Sequence, residues 1–393
     1  MGIDSSGPKI YHSLRLEKLI PKDAMTEATL AANASAFSIA QTAGDHRALR
    51  LWLWCVAALV FAMVVVGGST RLTESGLSIT EWKPITGVLP PLSQAGWLAE
   101  FAKYQAIPQY KELVTGMSLD GFKFIFLWEW SHRLLGRLIG IVFAVPLIVF
   151  WLRGMIPQGL KWKLVGVLAL GGLQGFVGWW MVKSGLVHRV EVAQQRLAIH
   201  LFLASLTLAL IVYLARTLAS SKFPAPPNAV ALRRFASVTI IVVFIQIFLG
   251  ALVAGLRAGR AYNTWPLMDG HFIPSSDVLF ALEPWWRNFT DNLAMVQFQH
   301  RMVGYVLLLL TLAQALCAMA WAPGTKAMRR ALHLFGAVLV QAGLGVVTLL
   351  LAVPIWAGLL HQAFAMLVLV SAVIYRESLS RAHTENLQVA ASA

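Results

Sequence analysis

The sequence predicts an all-α membrane protein: eight transmembrane helices forming two pseudo-symmetric four-helix bundles. Three observations carry that expectation. The composition is too apolar for water, eight apolar runs have spanning length, and an internal repeat copies four spans onto the next four. Residues of the AVILMFWYC set make up 58% of the 393 residues and charged residues only 13%, where about 25% charge is usual in soluble chains. Too little charge remains to cover a water-facing surface, which excludes soluble globular and disordered classes.

A helical span needs about 20 mostly apolar residues. Eight such runs occur, near 48–68, 130–152, 162–182, 197–217, 235–256, 300–321, 331–350 and 355–375. The second and sixth open with polar residues. Basic residues fix the orientation. Arg47 and Arg50, Arg153 with Lys161 and Lys163, Arg216 with Arg233 and Arg234, Lys326 with Arg329 and Arg330, and Arg376 with Arg381 fall in one set of short connections. Two long connections, 69–129 and 257–299, carry mixed charge. Both termini are therefore expected in the cytoplasm, with the two long connections outside. The net charge of +14 follows from this positive-inside pattern, not from nucleic-acid binding. Cys55 and Cys317 lie inside apolar runs, which rules out a disulfide framework or a thiolate metal site.

The expected organisation is a disordered cytoplasmic tail (1–46), an N-terminal bundle (47–220), a C-terminal bundle (221–378) and a second cytoplasmic tail (379–393). The N-terminal segment has no apolar core, so it is not a signal peptide, and Asp4, Glu17, Asp23 and Glu27 argue against a mitochondrial presequence.

The repeat shows in both long loops and in the spans after them. Thr80-Glu81-Trp82-Lys83-Pro84 is answered by Asn263-Thr264-Trp265-Pro266. Ser131-His132-Arg133-Leu134-Leu135-Gly136 is answered by Gln299-His300-Arg301-Met302-Val303-Gly304. The next span in each half is glycine-rich around one glutamine, Gln174 or Gln341, and the last opens with His200 or His361. Spans 2, 4, 6 and 8 all begin on the outer side, so these four histidines share one depth within a turn or two of the outer helix ends. Ionisable residues inside a bilayer are costly and usually functional, and four aligned by repeat are not four independent caps.

Two facing histidines in a bundle without a carboxylate or thiolate cluster suit haem, because the porphyrin fills the other four iron positions. Gly136 and Gly304, four residues after their histidines, share the same helix face. They either admit a flat macrocycle or serve close helix packing. Arg133 and Arg301 either pair haem propionates or snorkel to lipid phosphate. The loop tryptophans read mostly as an interfacial aromatic belt. One asymmetry separates the halves: Glu129 stands three residues before His132, and Gln297 three before His300. A carboxylate can accept protons or stabilise positive charge, whereas an amide only exchanges hydrogen bonds. The first bundle is therefore expected to perform chemistry and the second to hold a haem for electron transfer. Glu129 as a mere first-turn complement to the helix dipole is the alternative.

The run Gly67-Gly68-Ser69-Thr70-Arg71-Leu72-Thr73-Glu74-Ser75-Gly76-Leu77-Ser78, then Glu81-Trp82, Pro84 and Glu129-Trp130-Ser131-His132-Arg133, resembles the haem A synthase family in its longer proteobacterial and mitochondrial form. Gln299-His300-Arg301 and the His200 and His361 spans extend the likeness from about residue 48 to 376. The resemblance implies an oxidoreductase that converts the C8 methyl of haem O to a formyl group, making haem A for cytochrome oxidase. It implies haem b on His300 and His361, substrate haem O on His132 and His200 near the periplasmic side, and Glu129 as the catalytic glutamate. The chemical route stays open between hydroxylation through a gem-diol and water attack on a carbocation. Implied partners are the haem O synthase that supplies the substrate and an electron donor that the sequence does not identify. A homo-oligomer is compatible. Some family members carry loop cysteine pairs; this chain has none there. The rival expectation is a non-catalytic di-haem b electron carrier or quinol-oxidising cytochrome, which would leave the Glu129/Gln297 difference unexplained.

Overall fold

A computed structural model of the chain describes residues 22–219, 226 and 228–392, with side chains over 46–219, 226 and 228–380. Segment 1–21 of the expected N-terminal tail, and Ala393, lie outside the described residues. The chain divides after Ala48 into two units, and everything that positions the site belongs to the second.

Among the described residues, eight helices are long and apolar enough to cross a membrane. In chain order these spans are His46–Leu72, Leu119–Leu152, Gln158–Lys183, Gln194–Thr217, Ala229–Gly255, Leu293–Trp321, Lys326–Leu350 and Ile355–Ser380. The first lies in a helix that begins at Lys22, and the last in one that runs to Ser392. Helices are the form that lets a membrane segment satisfy its own backbone, and no strand occurs among the described residues. On span 2, Leu138, Ile141, Val145, Ile148 and Leu152 recur at helical spacing and are all exposed. A stripe like that belongs against lipid.

In the second half, span 5 packs on spans 6 and 8, and span 7 packs on both 6 and 8, closing a ring of four helices. In the first half, span 3 packs on 2 and 4. Trp52 Nε1 of span 1 donates to Val142 O of span 2 at 2.8 Å. Spans 4 and 8 join the halves, and Gln362 Nε2 of span 8 donates to Val64 O of span 1 at 2.7 Å. One apolar core draws buried residues from all eight spans, Leu53 and Leu164 in the first half and Leu232 and Leu334 in the second among them.

Spans 2 and 6 begin earlier than hydropathy suggests, at Leu119 and Leu293, because side-chain caps rather than apolarity start them. Ser118 Oγ accepts from Gly121 N at 3.1 Å. Asn292 Oδ1 accepts from Ala294 N at 2.8 Å and Met295 N at 3.2 Å. His300 keeps its expected place two turns into its helix. His132 does not: at about 1.5 Å per residue it lies about 20 Å from the start of its helix.

The extra turns of span 2 carry the first long loop. Helices Gln94–Gln105 and Pro108–Leu113 fold onto it and build a small core of Leu77, Ile79, Phe101, Tyr104, Ile107, Phe122, Ile125 and Phe126. Phe101 and Phe122 stack with centroids 4.9 Å apart. An ion cluster closes this cap: Lys103 Nζ lies 2.9 Å from both Glu81 and Glu100 carboxylate oxygens. Hydrogen bonds from Lys83 and Lys103 hold the Glu81 carboxyl below its usual range. Those to Glu100 and Glu81 raise Lys103 to about 12.

Candidate functional site: four cradled histidines

Each of the four histidines lays its ring against a glycine of a neighbouring span. A Cβ added to Gly67 would stand 2.9 Å from His132 Cε1, on Gly178 2.9 Å from His200, on Gly250 3.0 Å from His300, and on Gly345 2.9 Å from His361. Real Cβ atoms essentially never approach as closely as at Gly67, Gly178 and Gly345, and at Gly250 the contact is tighter than nearly all real ones, so a side chain at these positions would push on the imidazole it meets. The glycines are there to admit the rings.

Three of the cradles carry a glutamine one turn before the glycine. Gln174 Nε2 donates to His200 O at 3.0 Å and lies 3.4 Å from its ring Nε2. Gln246 does the same to His300 at 3.0 and 3.4 Å. Gln341 donates to His361 O at 3.0 Å and lies 3.1 Å from its Nδ1. At His132 the matching residue is Met63, whose Cε lies 3.2 Å from where a Gly136 Cβ would stand; Gln246 Nε2 is 3.3 Å from the Gly304 counterpart. Gly136 and Gly304 thus give room to the side chains of Met63 and Gln246.

The ring centroids of His300 and His361 are 6.4 Å apart, with planes at 78°. Two imidazoles binding one metal from opposite sides at about 2.0–2.1 Å, with centroids about 1.1 Å behind the nitrogens, stand about 6.3 Å apart. His132 and His200 are near enough to interact electrostatically. Among the described residues, Nδ1 of His132, His200 and His300 is buried with no hydrogen-bond partner, as is Oε1 of Gln174, Gln246 and Gln341. Also among them, no three His, Cys, Asp or Glu side chains come together as a metal site would need. Paired imidazoles with orphaned nitrogens and no further ligands fit a metal whose remaining positions are filled by a macrocycle, and haem meets that description.

Glu129 and Gln297 are equally buried, each 3% exposed, but meet different partners. Glu129 Oε2 accepts from Ser78 Oγ and from Ile79 N, both at 2.8 Å. Its Oε1 accepts from Arg133 Nη2 at 2.6 Å and Nε at 3.1 Å. Gln297 Oε1 accepts from Arg301 Nη2 at 2.8 Å, while its Nε2 donates to Ala258 O at 2.8 Å. The amide faces a carbonyl where the carboxylate faces only donors. Arg133 continues to Ile79 O at 2.8 Å and Glu81 O at 3.0 Å, and Arg301 to Tyr262 O at 3.0 Å and Thr264 O at 2.9 Å. In both halves the arginine pins the loop that follows the first span of that half.

Gln246 and the cradle glycine Gly250 escaped the sequence reading, and Gly67 and Ser78 stood there only within the family-like run, without a role of their own. The glutamine–glycine spacing was a usable signal: Gln174 with Gly178, Gln246 with Gly250, and Gln341 with Gly345 repeat it. Ser78 carried no such signal, since its partner is fixed only when the loop folds back.

The model of the family described as cytochrome oxidase assembly protein (COX15-CtaA) matches residues 50–373. Heme A synthase of Beijerinckia indica subsp. indica is 60% identical over 357 residues, covering 88% of this chain and 98% of its own. Heme A synthase of Brucella anthropi is 51% identical over 331 residues, 84% of this chain and 92% of its own. That of Brucella ovis is 52% identical over the same length, with 84% and 91% covered. With four matched histidine cradles inside the region that the profile covers, the chain belongs to the COX15-CtaA family of cytochrome oxidase assembly proteins.

Proposed function

We propose that the chain is a haem A synthase, oxidising the C8 methyl of haem O to a formyl group to make haem A for cytochrome oxidase. The observation that carries this is the substitution of one buried residue between two otherwise matched settings: a carboxylate at 129, an amide at 297. His300 and His361 hold a resident haem b, and the 6.4 Å ring separation supports that assignment. His132 and His200 hold the substrate haem. The haem irons supply the redox chemistry.

Either route to a formyl frees protons at the methyl carbon, and of these two residues only Glu129 can accept one. Ser78 Oγ, Ile79 N and Arg133 aim hydrogens at its two oxygens and hold the charge in one place, which suits stabilisation of positive charge developing nearby. Oriented by its basic connections, the chain sits in a bacterial inner membrane with both termini cytoplasmic and the histidines toward the periplasm. The electron donor and the enzyme supplying haem O are its partners.

The test is haem A production from haem O by the purified protein and by Glu129→Gln. Loss of haem A with both haems still bound supports the proposal; undiminished haem A in the variant removes Glu129 from the chemistry. Two bound haems with no haem A from either protein would favour an electron carrier.

A further inference from the structure

The two halves differ in how closely their second and third spans pack. Span 7 packs closely on span 6, whereas span 3 touches span 2 only sparsely. Pro146 stands inside span 2, and its repeat partner in span 6 is Gln314. A proline in a helix interior bends it and frees the carbonyl four residues back. Here that is Val142 O, which accepts from Trp52 Nε1 instead at 2.8 Å. Toward the span ends remote from the histidines lies an open cavity of about 300 Å³. Leu147, Ile148, Trp151 and Leu152 of span 2 and Val165 of span 3 line it, apolar and aromatic side chains only. Nearer the histidines, glycines leave further room. A Cβ added to Gly140 or Gly171 would meet nothing within 4 Å. Their repeat partners are Leu308, packed against the apolar core, and Val338, 3% exposed. The second half fills with side chains what the first leaves empty.

We propose that this groove between spans 2 and 3 is the subsite for the isoprenoid side chain of the substrate haem. This rests on the assignment of His132 and His200 to haem O. Haem O carries a hydroxyethylfarnesyl chain where haem b carries a vinyl group. A half built for haem O therefore needs a long apolar slot that a half built for haem b does not. The groove begins below His132 and His200, whose buried Nδ1 atoms have no partners. Gly140 lies eight residues beyond His132 and Leu147 fifteen, depths of about 12 and 22 Å at about 1.5 Å per residue. Three isoprene units of about 5 Å each, from ordinary carbon–carbon bond lengths, cover the stretch from a porphyrin edge to the cavity. Ile148 and Leu152 are exposed, so the groove opens sideways to lipid, where a substrate with an apolar tail dissolves.

Spectroscopic titration of the purified protein, with haem b resident, against haem O and separately against haem B tests the proposal. The wild type should bind haem O at least as tightly as haem B. Gly171→Val together with Gly140→Leu installs the second-half residues. It should weaken haem O binding by about tenfold or more, the low end of what overpacking costs, and leave haem B binding unchanged. Val165→Trp, which blocks the cavity without touching a glycine, should do the same, and it decides the matter if the glycine variant loses haem b and hence its fold. Unchanged haem O affinity in the deciding variant would leave the groove to lipid and overturn the proposal, as would equal losses of haem O and haem B. Haem O binding that survives both His132→Ala and His200→Ala would overturn the substrate-site assignment itself.

Discussion

A buried carboxylate at 129 and a buried amide at 297 do the same mechanical task, bridging a span to the loop above it, with opposite demands on their partners. Gln297 needs the Ala258 carbonyl for its N–H; Glu129 is ringed by the Ser78, Ile79 and Arg133 donors. Glu129→Gln would turn an amide N–H toward a donor. Beyond its loss of haem A formation, it should therefore cost about 1–3 kcal/mol of stability, read as a lower midpoint in thermal unfolding. Gly250→Ala should force the His300 ring aside, because the new Cβ would stand 3.0 Å from Cε1. The expected outcome is loss of the low-spin haem b spectrum, with the first-half haem retained; an unchanged spectrum would show that the ring is not held there. The histidines could be found in the sequence because ionisable residues are rare in spans. The cradle glycines could not be picked singly from 30 glycines, and only their shared distance from a glutamine marks them. Where Arg133 and Arg301 send their hydrogens depended on loop carbonyls that no local pattern locates.

At the scale of the element, apolar runs located all eight spans but set the starts of spans 2 and 6 furthest from where the helices begin, since a capped helix continues past the membrane as long as a loop packs on it. Leu119 is 11 residues, and Leu293 seven, before the apolar run that the sequence suggests. Asn292 shows what holds such an end. Its Oδ1 caps the helix, while its Nδ2 donates to Val278 O at 2.9 Å, to Leu279 O at 3.2 Å and to Asn288 Oδ1 at 2.9 Å. Asn292→Ala removes the cap and leaves those acceptors unpaired, so a loss of about 2 kcal/mol, the upper part of the range for caps, is expected in denaturant unfolding. A loss no larger than that of an exposed cap would mean that the second loop does not depend on this residue.

Across the whole molecule, charge ties the two halves together at the histidine end. Arg71 Nη2, at the end of span 1, donates to Glu191 Oε2 at 2.6 Å and to Ala254 O, beside the end of span 5, at 3.0 Å. Arg257, just past span 5, pairs with Glu74 at 2.8 Å and also with Glu191. Glu74 and Arg257 both adopt left-handed backbone, φ 58° and 52°, and each stands seven residues after a cradle glycine. The repeat has placed an acid and a base at the same position of its two copies, and they meet across the junction. Glu191→Ala should lower the melting temperature of both haem sites together, by an amount near that of about 1 kcal/mol since the groups keep some contact with water. Melting of one site alone would show that the halves unfold independently. Little of this junction was legible in the sequence, where these charges read only as loop polarity.

The central claim is that two copies of one helical unit each grip a haem, and that one copy oxidises what it holds. The most direct measurement is the identity of every haem extracted from the purified protein. Haem B together with haem O and haem A is the predicted result. Two equivalents of haem B and no other tetrapyrrole would contradict it.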